Sequence, residues 1–253
     1  MTHAEAQATL PQPLSVENHI ELLAADGRRF SEVVADSDFD AAVPGCPEWD
    51  VEALIRHLGD VHRWATTIVR DRIKERLRRD FAGPAGRDPL LAWFAEGHAQ
   101  LVEVLAAGSP EDDAWTWAPA PNALAFWARR QAHETAIHRL DAEQAAGTVT
   151  SFPALAAADG VDEWLTMASL ISRVPDGRGR RLHVAADDVS GEWVVTLRDD
   201  GITMERGAAE GDCSVRASAS DLFALLMNRC EASAADVTGD EDVLRVWRES
   251  VHF

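Results

Sequence analysis

Apolar side chains recur at intervals of three and four through the first 150 residues and then switch to short alternating runs, so a helical part precedes a part that contains strands. Ser15 is placed to cap a helix over 16–35, whose partly regular face of Ile20, Leu23, Ala24 and Phe30 is weakened by Gly27. Pro44, Gly45 and Pro47 interrupt the linker 37–49, and residues 1–14, polar with Pro11 and Pro13, read as a frayed terminus. Asp50 caps a second helix with a stripe of Leu54, Leu58, Val61, Ala65 and Ile68, and a loop over 81–88 joins it to the third. Asp88 or Pro89 opens that third helix, which carries Leu90, Trp93, Phe94, His98, Leu101 and Leu105 and ends at Gly108. Asn122 caps the fourth, which ends near Gly147. Four helices over 15–147 predict an antiparallel four-helix bundle, an architecture whose core often holds metal sites built from facing helices.

Beyond it, one more helix is predicted over 151–173, with Leu155, Val161, Trp164 and Leu165. Strands follow at 182–186, 193–197, 202–205 and 213–217, with the turn signals Ser190-Gly191 and Asp199-Asp-Gly201 between them. Ser218 or Ser220 caps a helix through Leu222, Leu225 and Leu226, and 241–249 forms the last helix. The expected class is α+β, with a helical domain over 1–150 and a smaller α/β domain over 151–253.

Candidate chemistry is densest in the fourth helix. At about 100° per residue, Leu124, Ala128, Gln131, Thr135, His138 and Ala142 share a narrow stripe, with Trp127 and Glu134 along its edge. Glu134 and His138 therefore point the same way. His133 lies roughly 140° from His138 around the axis, among Phe126, Ile137 and Leu140. The run His133-Glu134-x-x-x-His138 is thus not the zincin H-E-x-x-H, which needs its histidines at i and i+4. What remains is a carboxylate and an imidazole one turn apart, two ligands of a divalent-metal site that lacks its third. In the second helix His57 lies about 60° to one side of the apolar stripe and His62 on the other flank, so only one of them can face a given site.

Composition narrows the partners. The 253 residues, 46% hydrophobic, suffice for one large or two modest cores, and no apolar run is long enough to span a bilayer. Without a basic start and apolar core at the N-terminus, a signal peptide is not predicted, and the expected location is the cytoplasm. A net charge of −19 opposes binding to nucleic acid or to an anionic membrane. Cys46, Cys213 and Cys230 lack C-x-x-C spacing and read as reduced thiols.

Two stretches carry a family resemblance: CPEWDVEALIRHLGDVHRW over 46–64 and RRQAHETAIHRLDAE over 129–143. They resemble the mycothiol-dependent maleylpyruvate isomerase family, within the DinB-like superfamily of metal-binding four-helix bundles. The later stretches Ala217-Ser-Ala-Ser-Asp-Leu and 239–247 look like that family's smaller α/β domain, related to sterol-carrier folds. The resemblance implies a metal held by His57, Glu134 and His138, a donor set that suits zinc without excluding nickel or iron. It also implies mycothiol as an external thiol cosubstrate, used for cis–trans isomerisation of maleylpyruvate or for S-transfer to another electrophile. A dianionic substrate would need local cations, and Arg63, Arg130, Arg139 and Arg229 are candidates. Arg229 comes first because the family keeps an arginine after this leucine-rich helix, although Met227-Asn-Arg-Cys departs from the usual Gly-Arg. Two other readings stay open: a hydrolase that activates water on its metal, and a non-catalytic module that binds metal or an apolar ligand.

Overall fold

A computed structural model describes residues 13–252 of the chain, so most of the stretch read as a frayed terminus lies outside the described residues. The chain divides into two compact units, one of Ser15–Thr150 and a second that begins at Ser151. Among the described residues no helix is long and apolar enough to cross a membrane.

The first unit is a four-helix bundle. Its helices are α1 Val16–Asp36, α2 Val51–Arg70, α3 Arg87–Ala107 and α4 Ala123–Ala146. Ser15 and Asn18 form a reciprocal capping box on α1, while the carboxylate of Asp50 and the side-chain amide oxygen of Asn122 accept the third backbone N–H of α2 and of α4. Gly147 closes α4 in the left-handed region at φ 70°, where glycine carries no steric penalty. Gly27 does more than weaken α1: a Cβ there would lie 2.2 Å from His98 Nε2, so its missing side chain is what lets α1 and α3 approach. α4 packs against all three other helices, and 18 of its 24 residues are buried, among them His133, Arg139, Asp141 and Glu143. A helix buried on every side shows no single apolar stripe, and its charged groups must find partners inside the protein.

Two connections differ from expectation. The third helix starts at Arg87, so that Pro89 sits in its first turn, where a missing N–H costs nothing. More consequential is the end of α2, which stops at Arg70 and leaves a long strap over 71–86. Residues 74–80 (KERLRRD) have too little apolar surface to bury one face of a helix, and Arg72 turns the chain at φ 50°. The strap instead lies along α2: Trp64 Nε1 donates to the Leu77 carbonyl at 2.9 Å, and the Phe81 N–H donates to Asp60 Oδ1 at 3.0 Å.

In the second unit, α5 Ala154–Ile171 precedes a five-stranded mixed sheet of order β3-β2-β1-β4-β5. Its strands are β1 Arg180–Ala186, β2 Glu192–Arg198, β3 Gly201–Arg206, β4 Cys213–Ala217 and β5 Asp236–Gly239. Only the β1–β4 pair is parallel. Register sets Leu182 beside Val195 and Cys213, and Val184 beside Trp193 and Val215, all buried. The edge strand β5, mostly exposed and reading Asp-Val-Thr-Gly, has no apolar alternation to announce it and was not predicted. Helices α6 Ala219–Leu226 and α7 Asp242–Ser250 complete the unit, and the Trp164 and Trp247 indoles both donate to the Leu226 carbonyl at the end of α6.

Candidate metal centre

The bundle brings His57 of α2 to Glu134 and His138 of α4. Oε1 of Glu134 lies 3.3 Å from His57 Nε2 and 3.5 Å from His138 Nε2, and the three donor atoms all fall within 4.8 Å of one another. Glu134 offers that one oxygen because the other, Oε2, accepts from Arg130 Nη2 at 2.9 Å. His138 offers Nε2 because its Nδ1 lies 2.8 Å from Asp141 Oδ2, on a carboxylate that is fully buried. A ring held through one nitrogen by a carboxylate, with the other nitrogen turned to the metal, is the usual state of a metal-binding histidine. The side-chain exposures fall from 22% at His57 through 16% at Glu134 to 7% at His138, so the cluster opens toward solvent on the His57 side.

The electrostatics favour positive charge at this point. Burial opposes ionisation of Glu134, yet hydrogen bonds from His138 and His57 and the charge of Arg130 hold its carboxyl well below the usual range. For His138 burial again opposes the charge, but hydrogen bonds to Asp141 and Glu134 outweigh it and raise the imidazole to about 9. His57 is lowered, chiefly by burial, and is neutral near pH 7. The field that favours a proton on His138 also favours a divalent cation among the three donors. Two imidazole nitrogens and one carboxylate oxygen are a donor set for zinc or a similar ion with coordination positions left over, so the residues present fit such a group.

A tight turn builds the wall of the site. The Val43 N–H donates to the Trp49 carbonyl, and the Cys46 and Trp49 N–H groups donate to the Val43 and Cys46 carbonyls, around Pro44-Gly45 and Pro47. This holds the Trp49 ring 4.6 Å from that of His57 and 5.9 Å from that of His138, centroid to centroid. The same turn sets the Cys46 thiol 3.7 Å from Asp141 Oδ2. Neither Cys46 nor Asp141 was singled out from sequence as part of the site; the short spacing from His138 to Asp141 was the one available signal.

The remaining histidines of the helical unit go elsewhere. His62 is fully buried with Nε2 2.9 Å from Thr135 Oγ1. His133 meets the ring of His19 edge to face, with centroids 5.8 Å apart, and His98 Nε2 lies 3.0 Å from the Leu23 carbonyl. Of the candidate cations, Arg63 donates to the Trp93 carbonyl, Arg130 to Glu134, and Arg139 to Asp26, Glu143 and Thr150. Arg229 lies in the second unit, three residues after the end of α6, where Nη1 donates to the Met227 carbonyl at 2.8 Å. Asn228 takes the left-handed conformation before it, φ 61°, with Nδ2 on the Arg248 and Val251 carbonyls.

An antiparallel bundle with a histidine–carboxylate cluster between facing helices defines a class of metal-site scaffold. The comparisons narrow it. Residues 20–143, nearly the whole helical unit, match the family described as "Mycothiol maleylpyruvate isomerase N-terminal domain". The chain is similar in fold to the crystal structure of the mycothiol-dependent maleylpyruvate isomerase, with a TM-score of 0.61, 14% identity and coverage of 89% of this chain and 93% of that one. A histidine-to-alanine mutant of that isomerase gives a TM-score of 0.63 at 13% identity over the same shares. No curated protein matches the sequence.

Proposed function

We propose that the chain is a metal-dependent enzyme that activates a low-molecular-weight thiol, mycothiol in this reading, for cis–trans isomerisation of maleylpyruvate or for S-transfer to a related electrophile. The observation that carries the proposal is that one oxygen of Glu134, Oε1, faces Nε2 of both His57 and His138. The family that the helical unit matches and the isomerases that share the fold support the choice of thiol and substrate. His57, Glu134 and His138 hold the ion, most simply zinc. When bound, such an ion supplies Lewis acidity, which lowers the pKa of a thiol that joins it.

The chain's own groups then have defined tasks. Arg130 keeps Glu134 ionised and turned inward, and Asp141 fixes the ring of His138. Trp49 covers one side of the donors, which limits access by water. In the isomerase reaction the thiol gives up its proton, a lone pair on sulfur bonds to one carbon of the activated cis double bond, and the π pair of that double bond moves into the conjugated carbonyl. Rotation about the new single bond follows, and expulsion of the sulfur restores the double bond as trans, so the thiol is regenerated and nothing is oxidised or reduced. Arg229 is proposed to bind a carboxylate of the substrate. A location in the cytoplasm fits a thiol cosubstrate and three cysteines present as thiols.

The test is metal content together with thiol-dependent turnover. Purified protein should carry one divalent ion per chain, and His57→Ala, Glu134→Ala and His138→Ala should each lose it, while His62→Ala and His133→Ala keep it. The loaded wild type should isomerise maleylpyruvate only when mycothiol is added. Turnover without added thiol would refute the thiol chemistry, and metal retained by His138→Ala would refute the site.

A further inference from the structure

A dianionic substrate in a chain of net charge −19 needs a cation that is not already committed to the protein. In the helical unit, Arg63, Arg130 and Arg139 are engaged with internal partners, and Arg56 is held by Glu52 and by the Gly83 and Pro84 carbonyls. Arg79 is placed differently. It sits on the strap that runs back along α2, between the two anchors Leu77 and Phe81. His57, Asp60 and Trp64, three and seven residues apart, share one face of α2, and Asp60 lies only about 4.5 Å further along the axis than His57. The Arg79 guanidinium rests over that face, 6.0 Å from the Trp64 ring centroid, with Nε 3.5 Å from Asp60 Oδ2. Through Asp60 it is therefore placed within about one helical turn of His57, the more exposed edge of the cluster.

Its pairing is loose. The side chain is 43% exposed, and the Asp60 carboxylate it meets already accepts the Phe81 N–H through Oδ1. An ion pair this long and this exposed contributes little, so trading it for a two-pronged contact with a ligand costs little. A guanidinium has a planar fork of donors that matches a carboxylate, and the aromatic face beneath limits the orientations it can take.

We propose that Arg79 is the helical unit's carboxylate-recognition residue, binding one carboxylate of an acidic small-molecule substrate beside the His57–Glu134–His138 cluster. The proposal rests on the reading that the substrate binds at this cluster, and it adds a specificity residue on a segment that sequence periodicity assigned no role.

The experiment is titration calorimetry of the zinc-loaded full chain with succinate, a dicarboxylate that has no double bond to isomerise. Wild type should bind it; Arg79→Ala should weaken binding about tenfold or more, as loss of a charge-assisted contact does. Arg79→Lys should recover part of the loss, since it returns the charge without the fork. Metal content and the circular dichroism spectrum should stay at wild-type values in both variants, because the side chain is at the surface. Succinate binding by Arg79→Ala as tight as by wild type overturns the proposal, as does a wild type that binds no succinate. If succinate binds through Arg79 but maleylpyruvate is not turned over with mycothiol, the thiol-isomerase reading fails and the recognition role of Arg79 stands.

Discussion

His138 reaches the cluster through Nε2 only because Nδ1 is held by Asp141, so the buried carboxylate of Asp141 fixes both the ring's orientation and the nitrogen it offers. Asp141→Asn keeps the shape and removes the charge, and it should weaken metal affinity about 10- to 100-fold as read by competition with a chelator. Cys46→Ser should leave affinity unchanged, since a hydroxyl can still donate to Asp141 from the same turn. If Asp141→Asn binds metal as wild type does, the orienting role is wrong. This division also marks what a sequence can yield at the scale of residues. The four-residue spacing of Glu134 and His138 is fixed by helix geometry and could be read directly. The choice between His57 and His62 depends on how α2 is rotated against α4, which no periodicity within one helix contains; the structure turns His57 to Glu134 and His62 to Thr135. Cys46 and Trp49 arrive by way of a turn, and Arg79 by way of a strap, so their places follow from loop geometry that the apolar pattern leaves undefined.

At the scale of elements, caps and apolar spacing located the helices well because they depend on local chemistry: Ser15, Asp50, Asn122 and Ser218 all cap as their side chains allow. What the spacing misjudged was the purpose of a glycine. Gly27 reads as a weak point in α1, yet its missing Cβ gives His98 of α3 room to bond the Leu23 carbonyl. Gly27→Ala should therefore destabilise the protein by about 1–3 kcal/mol, as overpacking does, although alanine is the better helix former. Gly201, where an added Cβ meets nothing within 4 Å, serves as the control and should tolerate alanine. Equal denaturation midpoints for the two variants would show that α1 and α3 can separate freely at this point. The end of α2 follows the same logic in reverse. A run rich in arginine has no face to bury and so leaves the helix, which is how Arg79 comes to lie beside it.

At the scale of the whole molecule, the switch from helical spacing to alternation marked the two kinds of architecture, and the strand β5 escaped because an exposed edge needs no apolar pattern. The buried histidines connect this architecture to pH. His62 and His98 pack with ring centroids 5.6 Å apart, and burial is the leading cause that lowers the pKa of each, reinforced at His62 by the charge of His98. In the unfolded chain both titrate near the ordinary value of about 6.5. Between that value and the lower folded one, the unfolded chain takes up protons that the folded chain refuses, so the stability these groups allow is complete above about 6.5 and is lost as pH falls below it. Each histidine should contribute up to about 1.4 kcal/mol per pH unit to that loss. Denaturant unfolding of chelator-treated protein over about pH 7.5 to 5.5 should show this slope, and His62→Gln, whose amide can still reach Thr135, should reduce it by one histidine's share. The variant's absolute stability is free to differ, because every other titrating group is common to both proteins and cancels in the comparison of slopes. An unchanged slope would mean that His62 is protonated in the folded bundle, against its burial among Phe94, His98 and Thr135.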